Sequence, residues 1–497
     1  MRLSKSRYMS GCQCQLKLWY DCYERRLATP PGASQQAIFD TGTAVGELAQ
    51  DRYPGGHLVA FDHFHADEAL AQTAELLNDL SVPSIYEAAF IYRDVLVRVD
   101  VLERAEAGWN LVEVKSGTKF KNGVHDIDVA VQLWVLRGAG LVVNNSGLLT
   151  LNRGYTYDGV SLDLARLFQL HDCTDIAESL QPEVEQNINE YMAMLEAGSA
   201  PSILPGEQCS VPYDCAYYAH CTRNFVFPDH PVSDLPRIGQ KALGELEADG
   251  IAELTDIPDD YPLTPLQERV REAVSNHSEY ISEELGDVLR AARYPVYHLD
   301  FETFMPAIPQ YAGTHPYDAI PFQYSLHIEH DEGRIEHIEF LHDEDTDPRE
   351  PLATSLIAAL GDDGSICVYS GYEKQVIGLL SDKFPQYADN LHAIQSRLWD
   401  LLPVVREHYY HPDFHGSFSI KKVLPVLVPG LGYDKLEIQD GMAAGVAYLN
   451  SLSLPDSEER QKTLADLRAY CGMDTEAMVR LREALFQKSL DRLATGQ

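Results

Sequence analysis

Alternating apolar and polar positions predict a β-hairpin in the first half of the chain. In DVLVRVDVLE, residues 94–103, a valine stands at every second position, and Arg98 and Asp100 fall on the opposite face. The segment AEAGWN predicts a turn, and NLVEVKSGT follows as a second strand. Glu113 and Lys115 share one face of that strand, and valines share the other. The hairpin therefore brings Asp100, Glu113 and Lys115 together on one side.

A second group of acidic residues follows the pattern of strands and helices in the last 200 residues. The apolar strand YPVYHLDFETF ends in Asp300 and Glu302, two positions apart and therefore on one face. SICVYSGYEKQVIGLL indicates strand, turn and helix, with Glu373 at the turn. In the helical LRAYCGMDTEAMVRLREAL, Tyr470 and Asp474 are four apart and share a face.

The order of these elements predicts an α/β protein in three parts: residues 1–225, 226–290 and 291–497. The Pro-rich stretch FVFPDHPVSDLP marks the first boundary, and the second lies near Arg293, where helical spacing gives way to a strand. Between them, the spacing of apolar residues in PLTPLQERVREAVSNHSEYISEELGDVLRAARYP indicates a wholly helical linker.

Composition is that of a globular protein, and the charge is strongly acidic. Of 497 residues, 45 % are apolar and 23 % charged. The 39 basic and 76 acidic residues give a net charge of −37, which argues against nucleic-acid binding unless basic patches are local, as in a salt-adapted acidic proteome. Net charge does not determine chemistry. The chain has no apolar run of about 18 residues and no signal core, so we expect a cytoplasmic protein without a membrane span.

The hairpin carries the residue types of a metal-dependent hydrolase. Asp100 and Glu113 offer carboxylate oxygens to Mg²⁺ or Mn²⁺. Lys115 beside them can position or deprotonate the attacking water. The alternative is a solvated hairpin face with a Glu–Lys ion pair, because such residues are common on surface strands.

The context of the hairpin resembles the PD-(D/E)XK nucleases of the RecB type. YEAAF with Glu87 precedes it, and the helical DIDVAVQLWVL with Gln132 follows. Many RecB-type domains have a histidine on an early helix, but the matching TGTAVGELAQDRYPGG has none, and Glu47 is the substitute it offers. The resemblance implies metal ligation by Glu87, Asp100 and Glu113, catalysis by Lys115, and support from Gln132.

Three cysteines in CSVPYDCAYYAHC, namely Cys209, Cys215 and Cys221, are spaced more widely than paired zinc ligands. With a fourth cysteine upstream they suit a 4Fe–4S cluster. SKSRYMSGCQCQLKLWY resembles the opening of iron–sulfur RecB-type nucleases, such as the AddB nuclease and the CRISPR-associated adaptation exonucleases. That resemblance implies Cys14 as the fourth ligand, with Cys12 as the alternative, and a cluster that staples the ends of the domain. Cys173 and Cys367 fit buried thiols.

The acidic residues of the last part resemble the DEDD superfamily of DnaQ-like, RNase H-fold exonucleases, in the variant with Y-x-x-x-D as its third motif. By that resemblance Asp300, Glu302, Glu373 and Asp474 bind two metal ions, and Tyr470 orients the attacking water. Glu373 stands where the family usually has aspartate. Asp400, in SRLWDLLPVV, fits a following strand better than a ligand.

Most of residues 291–480 also resembles a bacterial family known only as a domain of unknown function, in which an N-terminal nuclease commonly precedes this domain. The resemblance lies in YPVYHLDFETFMPAIPQY, PFQYSLHI, YYHPDFHGSFSIKKVLPVL and YCGMDT. Within it, GSFSIKKVLP is either a phosphate-binding segment or an ordinary turn and helix start. The phosphate contacts would come from Ser417, Ser419, Lys421 and Lys422.

The residues and the resemblances that they carry together predict a metal-dependent nuclease that acts on DNA in repair, recombination or defence. Between the two nuclease parts, LPRIGQKALGELEADGIAELTDIP resembles a helix-hairpin-helix module and serves equally well as a packing spacer. One alternative is an RNA 3′–5′ exonuclease, since DEDD domains act on both polymers. The other is a cluster-stabilised nucleic-acid-binding scaffold whose second site has decayed.

Overall fold

A computed structural model describes residues 2–61 and 64–495 and shows the α/β class that the sequence predicts. It divides into two compact units, residues 1–225 with 306–318, and residues 226–305 with 319–497. The expected separate linker, 226–290, therefore belongs to the second unit, because its apolar side chains share a core with that unit. Among the described residues, no helix has both the length and the apolar character needed to cross a membrane.

The described strands of the first unit form one mixed sheet in the order β2-β3-β4-β5-β6-β7, with β1 pairing to β4. Neighbours from β3 to β5 are antiparallel, whereas β5 and β6 are parallel and are joined through helix α5. The strands are β1 (Leu3–Ser4), β2 (His57–Leu58), β3 (Ser84–Tyr92), β4 (Val95–Ala105), β5 (Gly108–Lys115), β6 (Val143–Leu151) and β7 (Phe168–Asp172).

The predicted hairpin is confirmed, since β4 and β5 pair antiparallel with Val101 opposite Val112. The four alternating valines of β4 are buried, and Arg98 and Asp100 on the other face are partly exposed. The helices of this unit are α1 (Lys5–Gln13), α2 (Gln15–Tyr23), α3 (Ala33–Gln50), α4 (Ala66–Asn78), α5 (His125–Gly138), α6 (Leu164–Leu167), α7 (Thr174–Ser179), α8 (Gln181–Glu196) and α9 (Tyr218–Thr222), with 3-10 turns at Arg25–Leu27 and Glu207–Cys209.

The second unit has a mixed sheet in the order β11-β10-β9-β12-β13 across its described residues, with β9, β12 and β13 parallel to one another. A separate short pair joins β8 and β14. The strands are β8 (Tyr280–Ile281), β9 (Val296–Phe304), β10 (Ile320–Glu329), β11 (Ile335–Leu341), β12 (Ser365–Val368), β13 (Leu398–Asp400) and β14 (Tyr409–Tyr410).

The sequence predicted a wholly helical segment 226–290, and this prediction is wrong. Strand β8 interrupts the segment, because Tyr280 and Ile281 find backbone partners in β14, a pairing that helical spacing cannot reveal. The helices of the second unit are α10 (Gln240–Ala248), α11 (Pro265–Ser275), α12 (Leu285–Arg290), α13 (Arg349–Leu360), α14 (Tyr372–Lys383), α15 (Ala388–Ser396), α16 (Leu401–His408), α17 (Ile420–Leu427), α18 (Gly441–Ser453) and α19 (Glu458–Thr495), with 3-10 turns at Val232–Asp234, Leu254–Asp256, Pro385–Tyr387 and Pro412–Phe414.

Alternation along β9 decides which side chains meet α19. Leu299 and Phe301 belong to a core shared with α13, α14 and α15. Asp300 and Glu302 leave the strand on the opposite face, where α18 and α19 contact β9. The central strand therefore has an apolar face and an acidic face.

Candidate functional site

Three carboxylates of the first unit lie side by side across neighbouring strands. The β3–β4 register pairs the residues flanking Glu87 with those flanking Asp100. Val101 pairs with Val112 between β4 and β5, so Glu113 lies next to Asp100. The backbone amide of Val114, the next residue of β5, donates to Asp100 Oδ2 at 2.7 Å.

Glu113 is the centre of this site, and three side chains donate to its buried carboxylate. Lys115 Nζ lies 2.7 Å from Oε1, and Gln132 Nε2 lies 2.8 Å from Oε2. The third donor, Lys5 at the start of α1, was not predicted, and its Nζ lies 2.8 and 2.9 Å from the two oxygens. Asp128 on α5 was missed too; its Oδ2 accepts from Lys115 at 2.6 Å.

A helical spacing signal could have identified Asp128. It precedes Gln132 by four positions on α5, so both side chains share the face that meets β5. Gln132 Nε2 also reaches the backbone oxygen of Asp128 at 3.1 Å, while Gln132 Oε1 is buried without a hydrogen-bond partner in the described chain. Lys5 carried no comparable signal, because only tertiary packing brings α1 to β5.

The charges of this site separate the pKa values of its acids. Burial opposes ionisation of Glu113, but the charges of Lys5 and Lys115 outweigh it and lower its pKa. Burial and the neighbouring charge of Glu113 raise the pKa of Asp100 to about 8. Burial also opposes the charge on Lys115, yet Glu113 and Asp128 raise its pKa, so Lys115 stays an ammonium at neutral pH.

Two predicted participants lie at the margin of the site. Glu87 has a left-handed backbone conformation, with φ at 55°, and its Oε2 lies 3.2 Å from Nε of Arg98. Burial raises the pKa of Glu87. Glu47, the substitute for the missing histidine, is exposed on α3.

The four predicted cluster cysteines line one cavity, together with apolar and aromatic side chains such as Leu16, Ile203 and Tyr217. Those cysteines are Cys14, Cys209, Cys215 and Cys221. Cys12 lies elsewhere: it packs on the core of the unit, and the hydroxyl of Tyr191 lies 3.7 Å from its sulfur. Of the two upstream alternatives, the structure brings Cys14 to the triplet.

Side-chain hydrogen bonds hold the cysteine segment against α1 and α2. Gln13 Nε2 donates to the backbone oxygens of Gln208, at 2.8 Å, and Tyr213, at 2.6 Å. The hydroxyl of Tyr217 donates to Asp21 at 2.7 Å. Residues about 200 positions apart are therefore already joined around the cavity.

The four predicted carboxylates of the second unit converge at the end of its sheet. The carboxyl ends of parallel β9, β12 and β13 meet at one edge, which brings Glu373 in the first turn of α14 toward β9. Burial raises the pKa of Asp300 well above its usual range, and the charges of Asp474, Glu302 and Glu373 raise it further. Asp300 and Glu373 also shift each other's pKa, upward for Asp300 and downward for Glu373.

This carboxylate site is short of compensating charge. Burial raises the pKa of Glu373 to about 7 and of Asp474 to about 6. Burial and the charge of Asp474 raise the pKa of Glu302 as well. Glu373 Oε2 is buried and has no hydrogen-bond partner in the described part of the chain. Such oxygens are the ligands that Mg²⁺ and Mn²⁺ prefer.

Several groups around the carboxylates were not assigned to this site from the sequence. Tyr433 donates to Asp474 Oδ1 at 2.6 Å. Cys471 is buried, and its sulfur lies within 4.8 Å of ligand oxygens of Asp300 and Glu302. Asp400, which we predicted to be a strand residue, is the last residue of β13 and caps α16, and its charge also raises the pKa of Glu373.

The predicted phosphate-binding segment does not present one surface. Lys421 Nζ donates to the hydroxyl of Tyr470 at 3.2 Å, and its positive charge offsets part of the rise in the pKa of Glu302 and Asp474. Lys422 and Ser419 are exposed, and Ser417 Oγ accepts from the amide of Ser419 at 3.3 Å.

Ser419 also lines a cavity of about 340 Å³ in the second unit. Two guanidinium-bearing residues, Arg237 and Arg406, line the same cavity, with Tyr369 and Phe418 among its aromatic side chains. Basic and hydroxyl groups therefore do occur together in this acidic protein, in a cavity that Phe418 and Ser419 of the segment help to line.

Comparison with known proteins covers part of the second unit. A family model described as a domain of unknown function (DUF2779) matches residues 297–419, less than half of the chain. No curated protein matches the chain. The matched segment contains Asp300, Glu302 and Glu373, whereas Tyr470 and Asp474 lie beyond it. Residues 297–419 are thus similar to a family described without a function, and the chemistry is inferred from the sites.

Proposed function

We propose that the protein is a metal-dependent nuclease with a hydrolytic site in each unit. The observation that carries this proposal is the convergence of Asp300, Glu302, Glu373 and Asp474 in a buried position. Burial raises the pKa values of these four acids, and repulsion between them adds to the rise for Asp300, Glu302 and Glu373, so a divalent cation would favour their ionised forms. Metal ions held by such acids serve phosphodiester hydrolysis by stabilising the attacking and leaving oxygens.

The donor set of the second site fits one or two Mg²⁺ or Mn²⁺ ions. It supplies carboxylate oxygens, including the unpartnered Glu373 Oε2. Tyr470 contributes a hydroxyl that accepts from Lys421 and can position a water molecule or a phosphate oxygen. A mixed sheet with Asp–x–Glu on its central strand and Tyr–x–x–x–Asp on the last helix supports an RNase H-like, DEDD-type domain.

The first site fits the same metals, with Asp100 and Glu113 as its ligands and Glu87 at its margin. Burial and the charge of Glu113 raise the pKa of Asp100 to about 8, so a bound divalent cation would stabilise its ionised carboxylate. The raised pKa of Lys115 favours one of its two predicted roles. As an ammonium it would hold the water and stabilise charge at phosphorus. Asp100, Glu113 and Lys115 on adjacent strands support the PD-(D/E)XK assignment.

The cysteine cavity supports a structural 4Fe–4S cluster held by four thiolates. Soft thiolate ligands suit iron–sulfur chemistry. The cavity lies between α1–α2 and the segment 203–221, both in the first unit. The cluster would therefore join the beginning and the end of the 1–225 segment.

Digestion of end-labelled substrates tests the proposal. Single- and double-stranded DNA and RNA are incubated with the full chain in Mg²⁺, Mn²⁺ or excess chelator. We expect metal-dependent cleavage, with DNA as the preferred polymer. Asp100→Asn with Lys115→Met disables the first site, and Asp300→Asn with Asp474→Asn disables the second. All four changes together should abolish cleavage.

Matched controls exist for both sites. Lys119 is exposed in the loop after β5, and Lys119→Met should cut like the wild type. Glu476 lies on α19 two residues after Asp474 and pairs with Arg480, so Glu476→Gln should leave cleavage unchanged. The proposal is overturned if the fourfold variant cuts at the wild-type rate, or if the wild type cuts none of the substrates. Cleavage of RNA alone would favour the 3′–5′ RNA exonuclease.

A further inference from the structure

Two histidines and an aspartate of the second unit meet away from both carboxylate sites. Asp234 Oδ2 lies 3.0 Å from Nδ1 of His415 and 4.0 Å from Nδ1 of His230. The two imidazole rings are stacked, with centroids 5.0 Å apart and planes inclined by 24°. One ligand atom from each residue lies within 4.8 Å of the others.

The backbone brings these side chains together from distant parts of the chain. The amides of Asp229 and His230 donate to the carboxylate of Glu253 at 2.8 and 3.0 Å, which holds the strand-like entry to the turn Val232–Asp234. His415 follows the turn Pro412–Phe414 in a left-handed conformation, with φ at 46°.

Gly416 allows the two turns to touch. A Cβ atom there would lie 1.7 Å from the backbone oxygen of Asp234, and its φ is +69°. Val232 and Phe414 are buried in the same apolar core beneath the turns. The three polar side chains are therefore placed by rigid packing.

One ring nitrogen of this group has no hydrogen-bond partner among the described residues. His230 Nδ1 is buried and has no hydrogen-bond partner in the described chain, although Asp234 lies 4.0 Å away. A buried unpartnered ring nitrogen is costly unless a ligand takes it up. Glu253 adds a second negative charge near Asp234, which favours a cation.

We propose that His230, Asp234 and His415 bind one transition-metal ion of the Zn²⁺ class, which cross-links the two turns. Tetrahedral ligands at about 2.0–2.1 Å from zinc are about 3.3 Å apart, and the nitrogen–oxygen separations of 3.0 and 4.0 Å lie on either side of that distance. Two imidazoles and one carboxylate favour Zn²⁺, Co²⁺ or Ni²⁺ over Mg²⁺. Three protein ligands leave a fourth position for water or another ligand.

Cobalt absorption of the full chain tests this site separately from the nuclease proposal. Excess Mg²⁺ occupies the carboxylate sites, and Co²⁺ is then titrated. Co²⁺ bound by nitrogen and oxygen shows d–d bands without the thiolate charge-transfer bands that the cysteines would add. We expect the wild type to bind about one equivalent of this kind, which Zn²⁺ displaces.

His415→Gln removes one ligand at the most exposed of the three positions, so the fold should be unaffected. It should weaken Co²⁺ binding by at least about 100-fold, and His230→Ala with His415→Ala should abolish the signal. His411→Asn is the matched control. In the wild type, Nδ1 of His411 accepts from the amide of Asp413, and the asparagine side-chain oxygen can accept in its place. The proposal is overturned if His415→Gln and the His230→Ala/His415→Ala double variant both retain the wild-type signal, or if the wild type shows no such signal.

Discussion

Lys5 and Glu113 form a half-buried ion pair across 108 positions of sequence, with Nζ 2.8 Å from Oε1 and 2.9 Å from Oε2. Only 2 % of the Glu113 side chain is exposed, against 21 % for Lys5. The pair ties the first helix to the strand that carries the Glu–x–Lys motif. The carboxylate that we expect to bind metal therefore already has two cationic neighbours, Lys5 and Lys115.

Replacement of Lys5 should destabilise the protein. Lys5→Met leaves Glu113 buried with Lys115 and Gln132 as its remaining donors, and we expect the free energy of unfolding to fall by about 1–3 kcal/mol. Lys5→Met with Glu113→Gln should recover part of that loss, because a neutral amide costs less to bury than a carboxylate that has lost one of its donors. Urea unfolding of both variants measures the effect, with Lys119→Met as the control. Equal stability of Lys5→Met and wild type would show that the ion pair is unimportant.

Metal-free protein should lose stability as pH rises. Carboxyl groups have pKa values of about 4 in unfolded chains, whereas the folded pKa is about 6 for Asp474, about 7 for Glu373 and about 8 for Asp100. The folded state therefore holds these protons more tightly. The resulting stability is complete below about pH 4 and is lost as pH rises through the folded pKa values, over about pH 4 to 8.

Thermal unfolding in chelator at several pH values measures this loss. Added Mn²⁺ should raise the melting temperature most at the alkaline end, since the ion binds the ionised acids of the folded state. Asp300→Asn with Asp474→Asn should reduce both effects, and Glu476→Gln should change neither. A Mn²⁺ shift that is unchanged in the double variant would place the stabilising metal elsewhere.

The two upstream cysteines should behave differently. Protein purified without oxygen should be brown and carry about four iron atoms per chain. Cys14→Ala should lose both the colour and the iron, because Cys14 lines the cavity with the triplet. Cys12→Ala should keep them, since Cys12 packs on the core beside Tyr191. Loss of iron in Cys12→Ala alone would reverse this assignment, and zinc in place of iron would exclude the cluster.

The close approach at Gly416 predicts a large effect for a small substitution. Gly416→Ala combines a left-handed backbone, about 1–2 kcal/mol for a non-glycine residue, with a Cβ that collides with the backbone of Asp234, about 1–3 kcal/mol more. Gly430→Ala is the control, because its φ is +91° but nothing lies within 4 Å of its Cβ. Chemical unfolding should show a lower free energy of unfolding for Gly416→Ala than for Gly430→Ala. Equal losses in the two variants would mean that the turns Val232–Asp234 and Pro412–Phe414 can move apart to accommodate the Cβ.

Local patterns were sufficient to identify the strands and the acids that they carry. Period-two alternation located β4, β5 and β9, because in each strand apolar residues alternate with the charged ones and a strand must direct its side chains alternately. It also put Asp300 beside Glu302. The four-residue spacing of Tyr470 and Asp474 located the acidic face of α19 in the same way.

Local patterns could not reveal contacts between residues that are far apart in sequence. Lys5 meets Glu113, Lys421 meets Tyr470, and β8 pairs with β14 only because apolar cores bring remote elements together. Contacts between remote elements do not follow a repeating pattern within either element. The local sequence around these residues therefore does not predict them.

The sequence by itself determined the alternation of the strands, the spacing of the cysteines and the kind of chemistry that the acidic residues can carry out. The resemblance favoured Cys14 over Cys12, and tertiary structure places Cys14 with the triplet. Tertiary structure alone decided that Lys421 turns toward the carboxylates and that two histidines meet Asp234. The physical reason is that a backbone pattern sets the direction of a side chain relative to its own element. Its neighbours and its electrostatic environment depend on how the elements pack.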